Sequence, residues 1–519
     1  MTLPPTPGRA TPEGTRRHLE AFPAHAPHGH ATLGGTGLTV SRLGFGCYRV
    51  DDETPDHREA LAASLASGCN LIDTSTNYTD GGSERLVGRV LSDVCRDGRP
   101  AREALVVVSK IGYVQGENMR LAMERERAGF PFPEMVKYMD GCWHCIHPEF
   151  LRDQLARSRE RLRLETLDVC LLHNPEYFFS SAKKHGDGSE LDVLRAEFYR
   201  RVREAFAFFE TAVARGEIGC YGVSSNSLVA AADDPEATSV TWFLKAAEDA
   251  GGGDHHFRVL QFPMNLFESG GALLVNTGPE RGQTPLEAAA ATGLAVLINR
   301  PLNAIVANRL IRLADVDPGS GGGGARERAS ELKTLEKEFR ARIAPAVGTP
   351  LDAIDPFFDL LDELTDLPDR IEDAESWRQI EQQYVIPRIN HTARAMAQNV
   401  PEDLRPLWEG WWRRCLPPLE GLLEAIGGEA SRRSLSRSGK VAEAIDPLLP
   451  AARRGQTLSR KALWVVAGTP GVTTALVGMR RPAYVKDALG ILSWPPLTDP
   501  LRVYRRVKQV PADPARRRR

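Results

Sequence analysis

Four side chains that can exchange protons stand at or just after the ends of short apolar runs. Asp73 ends the run Cys69-Asn-Leu-Ile-Asp73 and Tyr78 follows it by five positions, while Lys110 and His173 end two later runs. Carboxylate, phenol, amine and imidazole groups are the side chains used for general acid–base catalysis. Each has an ordinary explanation alone, because such an Asp often caps a helix, a Lys is usually solvated and a lone His is more often structural. Their occurrence at consecutive strand ends predicts one catalytic centre.

The apolar runs themselves predict the elements that position these residues. Buried parallel strands read as nearly continuous apolar runs, because helices cover the sheet that they form. Segments of helical period, such as 150–162, lie between most of the runs. Eight strands with seven or eight crossovers predict a (β/α)8 TIM barrel, an α/β fold in which catalytic groups lie at the carboxyl ends of the strands. The eight predicted strands are 42–46, 69–75, 104–110, 167–173, 219–225, 257–262, 294–300 and 474–479.

The spacing of the strands breaks in two places. An irregular stretch, 113–147, separates the third strand from the fourth, and a much longer segment separates the seventh from the eighth. Most of the longer segment, 304–457, has helical period and predicts a large, mostly helical insertion. The predicted barrel therefore consists of 31–303 and 458–495. Residues 1–30 show no period and are expected to be a flexible leader, and 496–519 are expected to be a C-terminal tail.

Composition excludes several classes of protein. The 519 residues have 66 Lys and Arg against 68 Asp and Glu, a net charge of −2, although the chain ends in four arginines. This balance argues against nucleic-acid binding through bulk charge. No apolar run reaches the roughly 18 residues of a membrane span, and the first thirty residues lack the apolar core of a secretory signal. Eight cysteines in a chain of this length indicate a reducing compartment, so we expect a cytoplasmic protein without a membrane or nucleic-acid partner.

A series of short motifs extends along the predicted barrel. The first part has Leu33-Gly-Gly-Thr-Gly-Leu-Thr-Val-Ser-Arg-Leu-Gly-Phe-Gly46, Ile72-Asp-Thr-Ser-Thr-Asn-Tyr78, Ser83-Glu84 with Gly88, and Val108-Ser-Lys110. Then come Ser158, Arg161-Leu162, Asp168, Leu171-Leu-His173, Gly222-Val-Ser-Ser-Asn226, Gln261 and Arg300-Pro-Leu302. After the insertion come Ala462-Leu-Trp464, Thr469-Pro-Gly-Val-Thr473, Gly478-Met-Arg480, Tyr484-Val485 and Ala488-Leu-Gly490. Together they resemble the aldo-keto reductase superfamily, which implies an N-terminal hairpin before the barrel and hydride transfer with a nicotinamide cofactor.

The resemblance implies a role for each of the four strand-end residues. Tyr78 would be the general acid that protonates a substrate carbonyl, and His173 would hydrogen-bond that carbonyl and orient it. Lys110 would lower the pKa of the phenol, which is ~10 when free. Asp73 would keep Lys110 charged and oriented. The hydride chemistry belongs to the cofactor.

The resemblance also implies the cofactor contacts. Ser225, or Ser224 as the alternative, and Asn226 resemble the pair that binds the nicotinamide carboxamide, with Gln261 as its amide partner. Asn299 stands where the family usually stacks an aromatic ring on the nicotinamide, within the segment that continues through Arg300, Pro301 and Leu302. These ten residues are the expected cofactor site: Ser225, Asn226, Gln261, Asn299, Arg300, Pro301, Leu302, Gly478, Arg480 and Arg481.

The segment after the eighth strand bears on the choice of cofactor. Arg480 and Arg481 can pair with a 2′-phosphate, whereas a later Arg of many relatives is Tyr484 here. NADP is therefore favoured and NAD remains possible.

Three further features are interpreted from the residues. Cys47 and Tyr48 follow the first strand and are expected to line the substrate pocket, although an exposed Tyr48 is an equally good interpretation. Cys142-Trp-His-Cys145 with His147 looks like a metal knuckle, but no second Cys-x-x-Cys exists, so no metal site is expected. Trp408, Trp411 and Trp412 share one helical face and are expected to be core of the insertion, which we also consider as a lid over the barrel mouth.

These observations favour an NAD(P)H-dependent enzyme that reduces aldehydes or ketones, or oxidises the corresponding alcohol or sugar by hydride transfer to the nicotinamide. The alternative is a nicotinamide-sensing regulatory or scaffold protein that retains the fold with little turnover. A third interpretation, an aldolase with Lys110 as Schiff-base lysine, leaves Tyr78 and the Ser-Asn pair without a purpose.

Overall fold

The computed structural model describes residues 5–510 apart from 97, 99, 187, 279–281, 307–308, 315–323, 348–353, 368–370 and 372. The chain divides into two compact units. The first consists of Met1–Ala304 and Ala451–Gln509, and the second contains Ile305–Pro450. The sequence-based bounds of the insertion were 304–457, so the structure assigns 451–457 to the first unit. No helix in the described part of the chain is long and apolar enough to cross a bilayer.

The first unit is built on a closed barrel of eight parallel strands, as predicted. The strands of this unit, numbered in chain order, are β1 (His30–Thr32), β2 (Thr39–Ser41), β3 (Leu43–Gly46), β4 (Leu71–Asp73), β5 (Val106–Ile111), β6 (Tyr113–Val114), β7 (Val136–Met139), β8 (Cys142–His144), β9 (Leu167–His173), β10 (Ile218–Ser224), β11 (Phe257–Pro263) and β12 (Ala295–Asn299). Strands β13 (Asn303–Val306) and β14 (Arg309–Arg312) form a separate two-stranded sheet where the second unit begins in the chain, and β15 (Thr474–Val477) follows that unit. The barrel closes in the order β3-β4-β5-β9-β10-β11-β12-β15.

Helices alternate with the barrel strands. They are α1 (Pro12–Glu20), α2 (Pro55–Ala66), α3 (Gly82–Arg96), α4 (Gly116–Arg127), α5 (Pro148–Leu162), α6 (Tyr177–His185), α7 (Leu191–Ala214), α8 (Val240–Gly251), α9 (Gly270–Leu273) and α10 (Pro285–Ala291). The helices of the second unit are α11 (Ala325–Glu338), α12 (Ala344–Val347), α13 (Asp355–Asp366), α14 (Ala374–Ile380), α15 (Ile386–Asn399) and α16 (Arg405–Ile445). The first unit resumes with α17 (Ala451–Arg454), α18 (Leu458–Ala467), α19 (Pro482–Leu489) and α20 (Pro500–Val507).

Alternate residues of the barrel strands form its interior. Val106 and Val108 of β5, Val169 and Leu171 of β9, and Leu297 of β12 belong to one buried cluster. The antiparallel hairpin of β1 and β2 contributes further members of the same cluster, Leu33, Leu38 and Val40. Because the cluster includes Leu71 and Val106, the first residues of their strands, the hairpin covers the amino end of the barrel. The opposite end, where the strands finish, is left for polar side chains.

The segment before the hairpin is structured, so the expectation of a flexible leader needs correction for its described residues. Helix α1 begins after Thr11, whose hydroxyl accepts a hydrogen bond from the backbone of Gly14. Leu19 of this helix is buried. The backbone N–H of Ala10 donates to the buried carboxylate of Asp168. The hydrogen bond that caps α1 and the contact with Asp168 therefore hold this segment in place, although its sequence shows no continuous hydrophobic period.

Two other peripheral segments also differ from their expected descriptions. The stretch 113–147, expected to be irregular, forms helix α4 and a three-stranded antiparallel sheet in the order β6-β8-β7. In the expected tail, helix α20 buries Val503 and Tyr504, and the hydroxyls of Tyr504 and Thr469 share a hydrogen bond of 2.8 Å.

The second unit has its own apolar core. Trp408 and Trp411 of α16 are buried and pack with Phe339 and Phe358. The indole N–H of Trp411 donates to the carbonyl of Leu335. The tryptophan face is therefore helix-packing core, which confirms the expectation. Helix α16 is 41 residues long and contains two consecutive prolines, Pro417 and Pro418.

A buried ion pair ties the leader to two barrel elements. Asp168 accepts hydrogen bonds from the Arg102 guanidinium at 2.8 Å, from the backbone of Val107 at 2.8 Å and from Ala10 at 2.7 Å. Both charged side chains are at most 4% exposed. Removing one member of such a pair leaves the other charge buried without compensation.

We predict that Asp168→Ala lowers the free energy of unfolding of the first unit by about 3–5 kcal/mol. The control is Asp93→Ala, which removes the exposed pair between Arg58 and Asp93 and should cost at most about 1 kcal/mol. Hydrogen exchange of the β5 and β9 amides in the full chain measures both values. Equal, small effects of the two changes would contradict the prediction.

Candidate active site

The ammonium of Lys110 is the centre of a hydrogen-bonded group at the carboxyl ends of the strands. Its Nζ donates to Asp73 Oδ2 at 2.7 Å, to the carbonyl oxygen of Thr74 at 2.8 Å and to Tyr78 Oη at 3.2 Å. The side chain of Lys110 is completely buried. An ammonium has three hydrogens, so these three acceptors satisfy it fully. The structure therefore brings together Asp73, Tyr78 and Lys110 as predicted.

Burial and charge act in opposite directions on the three groups. Burial alone lowers the pKa of Lys110, but Asp73 and Tyr78 outweigh it and raise that pKa above its usual value. Burial raises the pKa of Asp73, against the lowering effect of Lys110 and of a hydrogen bond from Gln261. Burial also raises the pKa of Tyr78 to about 12, although Lys110 lowers it as expected. The phenol is therefore protonated at neutral pH and has a cation beside its oxygen.

His173 faces the same group from the end of β9. Its ring lies 5.8 Å from the Tyr78 ring, edge to face, and its Nδ1 is 2.9 Å from Ser75 Oγ. Burial, then the charge of Lys110, lowers the pKa of His173 well below its usual value, so the imidazole is neutral at pH 7. The single hydroxyl hydrogen of Ser75 has three acceptors within reach, Asn77 Oδ1, the carbonyl of Lys110 and His173 Nδ1, and the neutral ring has its proton on Nε2 when Nδ1 receives that hydrogen.

Aromatic rings surround this histidine. Tyr113 lies 4.7 Å from the His173 ring and Tyr48 lies 5.2 Å from the Tyr78 ring, both edge to face. Tyr48 is 64% exposed, so it contacts the general-acid candidate and is also open to solvent. Cys47 is completely buried, with its thiol 3.9 Å from the carbonyl of Phe45. The expectation that Cys47 lines a pocket is therefore corrected, since its side chain reaches no open space.

The two serines at the end of β10 point in different directions. Ser224 pairs in register with Gln261, and its hydroxyl donates to Gln261 Oε1 at 3.2 Å. Ser225 instead caps the following turn and contacts Thr238 Oγ1 at 3.0 Å. Asn226 is exposed, and its backbone N–H donates to Glu176. Of the two serines, the alternative Ser224 lies with the strand-end residues and Ser225 does not.

Several polar atoms near the end of β12 lack a partner within the described part of the chain. They are the buried Oδ1 of Asn299, Nε of Arg300 and Oγ of Ser269. Arg300 has a left-handed backbone, with φ of 54°, and donates to Glu268 at 2.9 Å. Pro301 is buried and Leu302 half-buried. The structure thus places Asn299 at the strand end with an unused acceptor.

The residues after β15 are more open. Gly478 is exposed, and a Cβ built there would meet no atom within 4 Å. Arg480 is half-buried and Arg481 exposed, with Arg481 Nε 3.8 Å from Asp56 Oδ2. Two guanidinium groups therefore follow the last strand, as the resemblance implies.

Sequence reasoning assigned no role to Glu176 or to His144. Glu176 is 5% exposed, and its Oε1 accepts from Asn226 N–H at 2.7 Å while its Oε2 has no partner within the described residues. Burial raises the pKa of Glu176 to about 7. The Nε2–H of His144 donates to the carbonyl of His173 at 2.7 Å. Both residues lie in segments whose composition was noticed, but neither contact is visible in the local pattern.

The suspected metal knuckle has other contacts. Cys145 Sγ lies 3.5 Å from the carbonyl of Pro133, and His147 Nδ1 caps α5 by accepting from the backbone of Glu149. Within the described ranges, no group of three or more His, Cys, Asp or Glu is arranged to hold a metal ion.

Comparisons with known proteins give the same family as the motifs. The family model described as "Aldo/keto reductase family" matches residues 42–240. An NADH-specific methylglyoxal reductase of Escherichia coli is 28% identical over 149 residues, 27% of this chain and 40% of that protein. An NADPH-dependent D-xylose reductase of Candida boidinii is 31% identical over 91 residues, 17% of this chain and 27% of that protein.

A solved structure of a glycerol dehydrogenase of Gluconobacter oxydans aligns with 94% of this chain and with 98% of its own chain. The two sequences are 18% identical, and the TM-score is 0.46. The aligned segments span less than half the length of either curated relative. With the closed eight-stranded barrel, the family match over its first five strands supports the resemblance of this chain to the aldo-keto reductase superfamily.

The raised pKa of Glu176 gives a test of the site's electrostatics. A carboxyl whose pKa is 4.5 when unfolded and about 7 when folded binds a proton more tightly in the folded state. The folded state therefore loses stability as pH rises from 4.5 to 7, by ~3 kcal/mol at about 1.4 kcal/mol per pH unit. Glu176→Gln removes this loss, so the variant should gain stability relative to the wild type between pH 5 and pH 8.

Hydrogen exchange of the β9 and β10 amides at several pH values measures this difference. The exposed Glu190→Gln is the matched control, and its difference from the wild type should not change with pH. A Glu176→Gln difference that stays constant from pH 5 to pH 8 would count against the prediction.

Proposed function

We propose that the protein is an NAD(P)H-dependent oxidoreductase that reduces an aldehyde or ketone, or oxidises the corresponding alcohol or sugar, with Tyr78 as the proton donor. The observation behind this proposal is the buried Lys110 ammonium, which donates to Tyr78 Oη and Asp73 beside the neutral ring of His173. The match of residues 42–240 to the aldo/keto reductase family supports the reaction class.

The chain's own residues suit proton transfer to a carbonyl oxygen. The Nε2–H of His173 would donate to that oxygen and hold it near Tyr78. The phenol would then give up its proton, and the resulting phenolate would face Lys110 Nζ, now 3.2 Å from Tyr78 Oη. Asp73 keeps the ammonium charged and pointed at this oxygen. A reduced nicotinamide, when bound, supplies the hydride.

The residues around the strand ends fit such a cofactor. Ser224 and Asn299 would hold the carboxamide, because Asn299 Oδ1 is a buried acceptor without a partner among the described residues. Buried polar groups are normally hydrogen-bonded, so this atom fits a site that a ligand completes. Arg300 Nε is also buried and has no hydrogen-bond partner among the described residues.

NADPH is our proposed cofactor. Arg480 and Arg481 follow the last strand and can pair with a 2′-phosphate. The two curated relatives differ here, since one is named as NADH-specific and the other as NADPH-dependent. The arginines are therefore the basis of the proposal.

We predict that Tyr78→Phe reduces the turnover of a reactive aromatic aldehyde with NADPH by about 10²–10⁴-fold, because the proton donor is removed. NADPH binding, measured by protein fluorescence, should be nearly unchanged. The exposed Tyr384→Phe, in the second unit, is the matched control and should keep wild-type turnover. Tight NADPH binding with negligible turnover by the wild type would contradict the proposal and favour a nicotinamide sensor.

Cofactor choice has its own test. Arg480→Ala with Arg481→Ala should raise the Kd of NADPH by about 10- to 100-fold, the loss expected for charge-assisted hydrogen bonds. The Kd of NADH should change little, because NADH lacks the 2′-phosphate. Fluorescence titration with both cofactors measures the ratio. An equal loss of affinity for both would show that the arginines do not distinguish them.

A further inference from the structure

The amide of Gln261 joins two parts of the site. Gln261 lies in β11 and is 1% exposed. Its Nε2 donates to Asp73 Oδ1 at 2.7 Å, and its Oε1 accepts from Ser224 at 3.2 Å. The resemblance implies only that this amide contacts the nicotinamide.

The orientation of the amide follows from the chemistry of its partners. An ionised carboxylate only accepts hydrogen bonds, so the NH₂ group must face Asp73 and the carbonyl oxygen must face Ser224. The hydroxyl of Ser224 can donate, which satisfies that oxygen. The assignment of the two ends of Gln261 is thus fixed by Asp73, and the hydroxyl of Ser224 is compatible with it.

Gln261 and Lys110 hold opposite oxygens of the same carboxylate. Oδ1 of Asp73 accepts from Gln261, and Oδ2 accepts from Lys110, each at 2.7 Å. Because both oxygens accept hydrogen bonds, the plane of the Asp73 carboxylate is fixed. Oδ2 therefore lies at a defined position for the Lys110 ammonium. The same ammonium reaches Tyr78 Oη, so an unbroken series of contacts connects β11 with the proton-donor candidate.

We propose that Gln261 is a positioning residue for proton transfer: it fixes Asp73, which orients the Lys110 ammonium against the hydroxyl of Tyr78. This inference rests on the proposed function and extends it to a residue that need not touch the substrate. Without Gln261 the Asp73 carboxylate becomes a stronger base, and its orientation is less restricted. It then competes more strongly for the Lys110 proton, and the phenolate form of Tyr78 is stabilised less.

The test is Gln261→Met, which keeps the side-chain length and removes both hydrogen bonds. Alcohol oxidation at saturating NADP⁺ rises as Tyr78 loses its proton, so the midpoint of kcat against pH should move upward by about one unit and kcat at pH 7.5 should fall about tenfold. Gln154→Met, a completely buried glutamine on α5, controls for the loss of a buried amide and should keep the midpoint.

A weaker affinity of Gln261→Met for NADP⁺ with an unchanged pH profile would overturn the inference and leave Gln261 as a cofactor contact alone.

A second readout does not need turnover. The phenol ionisation of cofactor-free protein is followed at 295 nm, and the signal of the matching protein with Tyr78→Phe is subtracted.

In this titration the wild-type step should lie near pH 12, and Gln261→Met should move it to higher pH. A step that stays in place overturns the inference even if the wild type shows no reductase turnover. The absence of Tyr78-dependent turnover would overturn the proposed function instead, so the two failures are distinguishable.

Discussion

A buried ammonium cannot stay charged without acceptors around it, and the burial of Lys110 is the constraint on which the site depends. The desolvation of such a group costs several kcal/mol unless hydrogen bonds and an opposite charge compensate. Asp73, the carbonyl of Thr74 and Tyr78 supply that compensation. The chain around Tyr78 bends sharply to reach it, since the next two residues, Thr79 and Asp80, have left-handed backbones with φ of 47° and 52°. The contacts that satisfy the buried ammonium thus also bring it to the phenol oxygen of Tyr78.

The barrel makes these contacts possible through its register. In each strand, side chains that point inward recur at every second residue. The inward position after the last apolar one is polar in strand after strand: Asp73 follows Leu71, Lys110 follows Val108, His173 follows Leu171, Ser224 follows Gly222, Gln261 follows Val259 and Asn299 follows Leu297. Because the strands are parallel and the sheet is closed, these positions form one layer at the carboxyl end. The layer brings Gln261 to Asp73 across 188 positions of sequence.

The segments around the barrel make structural contacts that their composition alone does not predict. The leader lacks a continuous period, yet it contributes Ala10 to a buried carboxylate and a capped helix to the surface. The sheet of β6, β8 and β7 places His144 against the backbone of His173 and Tyr113 against its ring. The second unit has its own buried apolar cluster, in which Trp411 packs against Phe339, Phe358 and Trp408.

The sequence by itself determined the fold and the composition of the polar group at the strand ends. Eight apolar runs, six of them with a polar residue at the carboxyl end, are local patterns, and local patterns are what a linear sequence displays. The family match confirms the assignment that the motifs suggested. The Thr11-Pro12 pair was also a local signal for a helix start, although the lack of a longer period hid it.

Only the tertiary structure decided which face each side chain takes and which distant group it meets. Ser224 rather than Ser225 points into the barrel, because alternation places it in line with the inward residues of β10. Cys47 falls one position past the last residue of β3 and is buried instead of lining open space. The contact of Gln261 with Asp73 has no local signature at all. The physical reason is that facing and pairing depend on strand register and barrel closure, which are set by long-range contacts rather than by the residues on either side.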